Sequence, residues 1–239
     1  MNDLHFNASG STVTQLQERI RLLERGTTRQ EMTVRPTGCP GLDALFPLRG
    51  IRQGSLVEWI DQGPSSGAGS LSLLTSFQVM PQQQSAVLID TQHQTYPPAL
   101  AAWGVDLSRL VMVRPATEHD ALWACEETLR CQAAAIVWAQ IDHLSTTAAR
   151  RLRLAVEQSS GICFLVRPAK ALRQPSWAEV RLQVSPLPGF DESPTYRVSV
   201  AYCQGRSLRS SVDIKIDKHR GTIDELAQPS VEDSLLLVS

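Results

Sequence analysis

The residues whose types and spacing could do chemistry lie between Leu56 and Phe77. An apolar run, Leu56-Val57-Glu58-Trp59-Ile60, leads into Asp61-Gln62-Gly63-Pro64-Ser65-Ser66-Gly67-Ala68-Gly69-Ser70, and apolar residues then recur at Leu71, Leu74 and Phe77. Strand, glycine-rich loop, helix is the layout that holds a phosphate. Glycines let backbone N–H groups converge on one anion, and the helix N-terminus adds a partial positive charge. The candidate contacts are Gly63, Ser65, Ser66, Gly67, Gly69 and Ser70. The cation is missing. A working phosphate loop reads Gly-x-x-x-x-Gly-Lys-Ser/Thr, and its lysine neutralises the outer phosphates. Ala68 or Gly69 falls at that position, and the only lysines are Lys170, Lys215 and Lys218. The segment reads either as a nucleotide site or, as the missing lysine favours, as a strand-to-helix turn that keeps the outline of one.

The elements around this loop must come from a chain of 239 residues, 42% apolar and 20% charged, with net charge −1. That composition suits one globular domain with a substantial core and excludes a global electrostatic drive toward nucleic acid or membrane. No apolar run has membrane-spanning length, and the start MNDLHFNASGS lacks a basic region and an apolar signal core, so a cytoplasmic protein without membrane contact is expected. The five cysteines, Cys39, Cys125, Cys131, Cys163 and Cys203, are odd in number and lack metal-ligand spacing. They read as reduced and buried, and no metal is expected.

Val13, Leu16, Ile20 and Leu23 draw one stripe along a helix that ends at Gly26-Thr27-Thr28. So short a helix needs a surface to dock on, within this domain or on a partner, and Leu16, Ile20 and Leu23 are its candidate contacts. Residues 1–35 are thus a helix and polar linker. Strand and helix patterns then alternate. Ala86–Asp90, Leu110–Val113, Ala133–Ala139 and Gly161–Val166 read as buried strands. Pro98–Trp103, a helix opening at the capping-box-like Thr117-Glu118-His119-Asp120 with a stripe at Leu122, Cys125 and Leu129, and Ser145–Gln158 read as helices. From Val180 the pattern changes. Val180–Val184, Tyr196–Tyr202 and Val212–Ile216 alternate apolar with polar, as antiparallel strands with one wet face do. The expectation is an α/β core over residues 36–218, with a mainly parallel sheet flanked by helices and antiparallel strands at its C-terminal edge. Residues 219–239 read as an acidic tail whose cluster Leu235-Leu236-Leu237-Val238 either frays or docks on a partner.

Short strings in this order resemble the RecA core from about Pro36 to Ile216. They are Thr37-Gly38-Cys39-Pro40-Gly41-Leu42-Asp43, Ile51 to Glu58, the Gly63 to Gly67 loop, Ile89-Asp90-Thr91-Gln92-His93, and Gly104-Val105-Asp106-Leu107 with Leu110 and Pro115. Within that superfamily the chain is similar to the ImuA family through Pro97 to Leu110, Val113 to Ala116, Asp120 to Ala124, Arg151 to Ala155 and Phe164 to Ala169. The resemblance implies a RecA-like fold and an accessory role in SOS-induced, error-prone translesion synthesis. The implied partners are an ImuB-like polymerase-fold protein and an error-prone DnaE-type polymerase, with RecA or a second copy as further candidates.

Set against RecA, the chain departs at every part that hydrolyses ATP. Besides the lysine, Gln92 stands at the water-activating glutamate, and an amide cannot take a proton from water. Ala139 stands where an aspartate supports magnesium, with Asp142 the next acid, and Arg167 stands at the nucleotide-sensing glutamine. Asp90 remains, and Arg49 and Arg52 are the nearest cations in sequence. The expectation is no catalytic residue, no bound cofactor and no ATPase activity. An active DNA-dependent ATPase or recombinase is the competing reading, with a SulA-like division inhibitor behind it. Arg150, Arg151 and Arg153 on one helix, and Arg167, Lys170 and Arg173 with Trp177 in a following loop, are candidate contacts for single-stranded DNA or a partner. Arg206, Arg209, Lys215, Lys218 and Arg220 form a third basic set.

Overall fold

The computed structural model describes residues 33–226, apart from 64, 133, 189–192, 205–209 and 218. The stripe at Leu16, Ile20 and Leu23 and the cluster at 235–238 lie outside the described residues, as do Arg206, Arg209 and Lys218. Val34–Arg35 (β1) pairs antiparallel with Ile51–Arg52 (β2), so the core starts two residues before the expected boundary at 36. Between them Pro40–Asp43 forms a short helix (α1). Pro40 suits its first turn because proline lacks an N–H to satisfy. The Asp43 carboxylate accepts the Thr37 N–H at 2.8 Å and closes the turn.

The continuous apolar runs become strands Leu56–Asp61 (β3), Ala86–Ile89 (β4), Leu110–Val113 (β5), Ile136–Gln140 (β6) and Ile162–Pro168 (β7). The expected strand over Ala133–Ala139 is shifted toward the C-terminus. Val180–Pro186 (β8) is the switch strand. It runs parallel to β3 and antiparallel to Thr195–Cys203 (β9), so its expected purely antiparallel setting is corrected. Ser211–Asp217 (β10) and Thr222–Glu225 (β11) continue the antiparallel edge. The nine strands form one sheet of order β11-β10-β9-β8-β3-β7-β6-β4-β5. The expected tail boundary at 219 is therefore also corrected, because Thr222–Glu225 is a sheet strand.

Ala68–Val79 (α2) covers one face of the sheet through Leu71, Leu73 and Leu74, with Leu100 of Pro97–Ala102 (α3) beside it. Glu118–Arg130 (α4) and Thr146–Gln158 (α5) cover the other through Cys125, Leu129, Leu152 and Val156. The cap at Thr117 forms as expected, accepting the Asp120 N–H at 3.1 Å. α2 is buried on nearly all sides, and its hydroxyls solve the polar problem this creates. Thr75 and Ser76 donate to the carbonyls of Leu71 and Ser72, and the indole of buried Trp138 donates to Ser72 Oγ at 2.8 Å. The outer cover comes from α1, β10 and β11, which pack so closely that a Cβ on Gly41 would lie 2.6 Å from Val212 Cγ2. On the opposite face β8–β10 present Gln183, Arg197, Ser199, Asp213 and Lys215, the wet face that the alternation predicts. Four cysteines are buried, but Cys131 is exposed, which corrects its expected burial.

Candidate functional site

The glycine-rich loop lies at the carboxyl end of β3, the usual ligand end of a parallel sheet. A cleft of about 300 Å³ opens there, bounded by Asp61, Gly63, Gln92, Gln140, Asp142 and Arg167 among others. Gly67 caps α2 in the left-handed conformation, φ 77°, where glycine alone is free of a Cβ penalty. The loop is turned in on itself. Asp61 Oδ1 takes the Gly63 N–H at 2.7 Å, the Gly63 carbonyl takes the Ser66 N–H at 3.1 Å, and Ser66 Oγ takes the Ala68 N–H at 3.3 Å. Ala68, at one of the two candidate lysine positions, is fully buried in the core. Gly69 and Ser70 fall in the first turn of α2.

Tyr196 of β9 closes the loop from the side. A Cβ on Gly67 would lie 2.2 Å from its Cε1, so the ring rests directly on the glycine. Burial pushes the Tyr196 phenol upward, keeping it neutral. Nothing in the loop's composition points to this contact, because the tyrosine is far away in sequence and belongs to the antiparallel edge.

The cleft's charges do not suit a polyphosphate. Its acids are Asp61 and Asp142 and its cation is Arg167. Arg167 is 3% exposed and already engaged, with Nη1 3.6 Å from Glu58 Oε1 and Nη2 donating to Gln174 Oε1 at 3.0 Å. Burial lowers its pKa, with Glu58 opposing that shift. Glu58, in the middle of β3, also accepts Arg181 Nε at 2.7 Å. Arg181 in turn donates to the carbonyls of Ala171 at 2.5 Å and Gln174 at 3.2 Å, pinning the short 3₁₀ helix Ala169–Arg173 to the sheet. A carboxylate inside an apolar strand, Glu58, was the sequence signal of this network.

The other expected parts fall as follows. Asp90 is buried and accepts the N–H groups of Gln94 and Thr95 at 3.0 Å, shaping the turn after β4. Ala139 is buried among apolar residues and Gln140 follows it. Arg52 pairs with Glu179 at 2.6 Å. It precedes β3 and so sits at the end of the strand away from the loop, as does Arg49. Among the described residues no group of acids, histidines and cysteines could hold a metal ion.

The basic residues do not form one patch. Arg151 turns to Glu126 of α4, and Arg153 pairs with Glu157 at 2.7 Å. Arg150 lies over Trp177, 5.8 Å from the ring centroid. Burial of Arg167 removes it from the expected surface set. Lys170 is exposed and 3.2 Å from His143 Nε2, and Arg173 is exposed.

Glu118 holds the loop after β6, accepting the N–H groups of Asp142 at 2.7 Å and His143 at 3.0 Å. Burial raises its pKa, but these amides and the His143 ring outweigh that and leave it below the ordinary value of 4.5. A depressed folded pKa means that the stabilisation is full above the unfolded value and is lost as pH falls through the folded one. Acid titration of stability should therefore show a smaller loss below pH ~4.5 in Glu118→Gln than in the wild type, read by chemical denaturation at several pH values.

The RecA N-terminal domain family matches residues 16–152, more than half of the chain. The chain is similar to RecA of Clostridium novyi (28% identity over 57% of this chain and 40% of that protein) and to RecA of Mesorhizobium japonicum (32% over 42% and 27%). It thus spans less than half the length of these RecA relatives. It is also similar to ImuA of Caulobacter vibrioides, at 26% identity over 77% of this chain and 83% of that protein. No described helix is long and apolar enough to cross a membrane.

Proposed function

The chain belongs to the RecA N-terminal domain family, and from that premise we propose that it is a non-hydrolysing accessory protein of DNA-damage tolerance, an adaptor in a mutagenic complex with an ImuB-like protein and an error-prone DnaE-type polymerase. Similarity to ImuA over most of both chains supports the accessory role. The observation that carries the loss of hydrolysis is the packing of Tyr196 on Gly67, beside a buried Ala68 at one of the two positions where the lysine would stand. Phosphoryl transfer needs phosphate charge cancelled, metal held and water aimed. The cleft offers two carboxylates, amides and an arginine already paired with Glu58.

One preparation tests both halves of the reading. Purified protein with magnesium and ATP should show no turnover above a no-protein control, with or without single-stranded DNA. It should co-purify with the ImuB-like partner, and Leu16→Glu with Ile20→Glu should abolish co-purification while leaving the melting temperature unchanged. ATP turnover that is lost in Asp90→Ala would refute the non-hydrolysing half. Undiminished co-purification of the double variant would remove the helical stripe from the interface.

A further inference from the structure

An open groove of about 490 Å³ runs along α5 where the helix steps down to the wet face of β8 and β9. Leu154, Trp177 and Tyr202, all lining it, are 47%, 42% and 45% exposed. Three large apolar side chains left in water beside one another mark a contact surface rather than scattered exposure. One guanidinium group stands over this floor with donors to spare. Arg150 has no carboxylate within ion-pair distance among the described residues and covers one face of Trp177. Arg153 pairs with Glu157 through Nε and its Nη1 is buried, so it neutralises that carboxylate and offers the groove no donor.

The groove is electrically polar. Arg150 lies near the N-terminal, positive end of α5, and Glu157 lies near its C-terminal, negative end. A polyanion laid along the groove would gain at Arg150 and then meet Arg153 and Glu157, which already neutralise each other. A peptide with an acid at one end and apolar side chains along the rest meets complementary chemistry throughout.

We infer that this groove is the docking site for an acidic–aliphatic peptide segment of a partner protein, its carboxylate on Arg150 and its apolar side chains on Leu154, Trp177 and Tyr202. The inference rests on the adaptor reading in taking a protein segment as the ligand. It resolves the candidate contact Arg150 in favour of protein over single-stranded DNA, and it assigns no part to Arg151, turned away to Glu126, or to Arg153, paired with Glu157.

A random peptide display library selected on the full chain tests this. Recovered peptides should place Asp or Glu within a few residues of Leu, Ile or Phe. Their affinity, measured by fluorescence anisotropy, should fall roughly tenfold or more in Arg150→Glu and in Trp177→Ala. Both side chains are exposed, so the variants should melt with the wild type, and Arg151→Glu should bind as the wild type does. Peptides that lack an acid, or that bind the two variants undiminished, overturn the inference. So does labelled oligothymidylate that binds with the same dependence on Arg150 and Trp177 and displaces the peptides, because the occupant is then nucleic acid. ATP turnover in the same preparations reports on the hydrolysis reading alone, so the two can fail separately.

Discussion

Glu58→Ala should lower the melting temperature by roughly 10 °C. Glu58 is 1% exposed and is the shared counter-ion of Arg167 and Arg181, themselves 3% and 6% exposed. Its removal leaves two buried guanidinium groups without their ion-pair partner, a change that costs ~3–5 kcal/mol. For a domain of this size each kcal/mol moves the midpoint by about 2–4 °C. The loss should also free the 3₁₀ segment Ala169–Arg173, because Arg181 holds the carbonyls of Ala171 within it and Gln174 just after it only while Glu58 fixes the guanidinium. Hydrogen exchange over residues 169–178 should speed up accordingly. Removing the whole network in Glu58→Leu, Arg167→Met, Arg181→Met should recover much of the stability, since apolar side chains of similar volume replace buried charges well. A melting temperature of Glu58→Ala within ~2 °C of the wild type would show that water reaches the site and that the burial argument is wrong.

Gly67→Ala should be the second most damaging of these changes, at about 2–3 kcal/mol. Two causes act together. The residue sits at φ 77°, where a Cβ costs about 1 kcal/mol. The added carbon would also lie 2.2 Å from Tyr196 Cε1, so the ring, the loop or both must move. Tyr196→Ala removes the second cause and leaves the first. In that background the cost of Gly67→Ala should drop to about 1 kcal/mol, a coupling that a double-mutant cycle measures directly. Equal costs in the two backgrounds would mean that Tyr196 does not rest on the loop. The cycle therefore tests the contact that carries the proposed loss of hydrolysis, and it does so without any nucleotide.

Other parts of the fold respond to weaker forces. The pairs Arg153–Glu157 and Arg197–Asp213, at 2.7 and 2.6 Å, are partly exposed. Solvent and salt screen them, and each contributes little to stability. The cost of disturbing this protein is concentrated where charge is sealed inside the sheet.

The sequence by itself determined the class of fold. Continuous apolar strands alternating with amphipathic helices specify a covered parallel sheet, and the switch to alternation after Val180 specifies a wet antiparallel edge. It also determined the outline of the candidate site, because glycine spacing after a strand and the missing lysine are local facts. Only the tertiary structure decided that Tyr196 reaches Gly67, that Glu58 gathers Arg167 and Arg181, and that Arg150 separates from Arg151 to join Trp177. Those contacts span 129, 109 and 123 positions from Gly67 to Tyr196, Glu58 to Arg167 and Glu58 to Arg181. Strand order sets them, and no local periodicity encodes which strand lies beside which. The boundaries moved for the same reason: Val34–Arg35 and Thr222–Glu225 are too short and polar to read as strands alone, and they form because a neighbouring strand offers hydrogen bonds and α2 needs a cover.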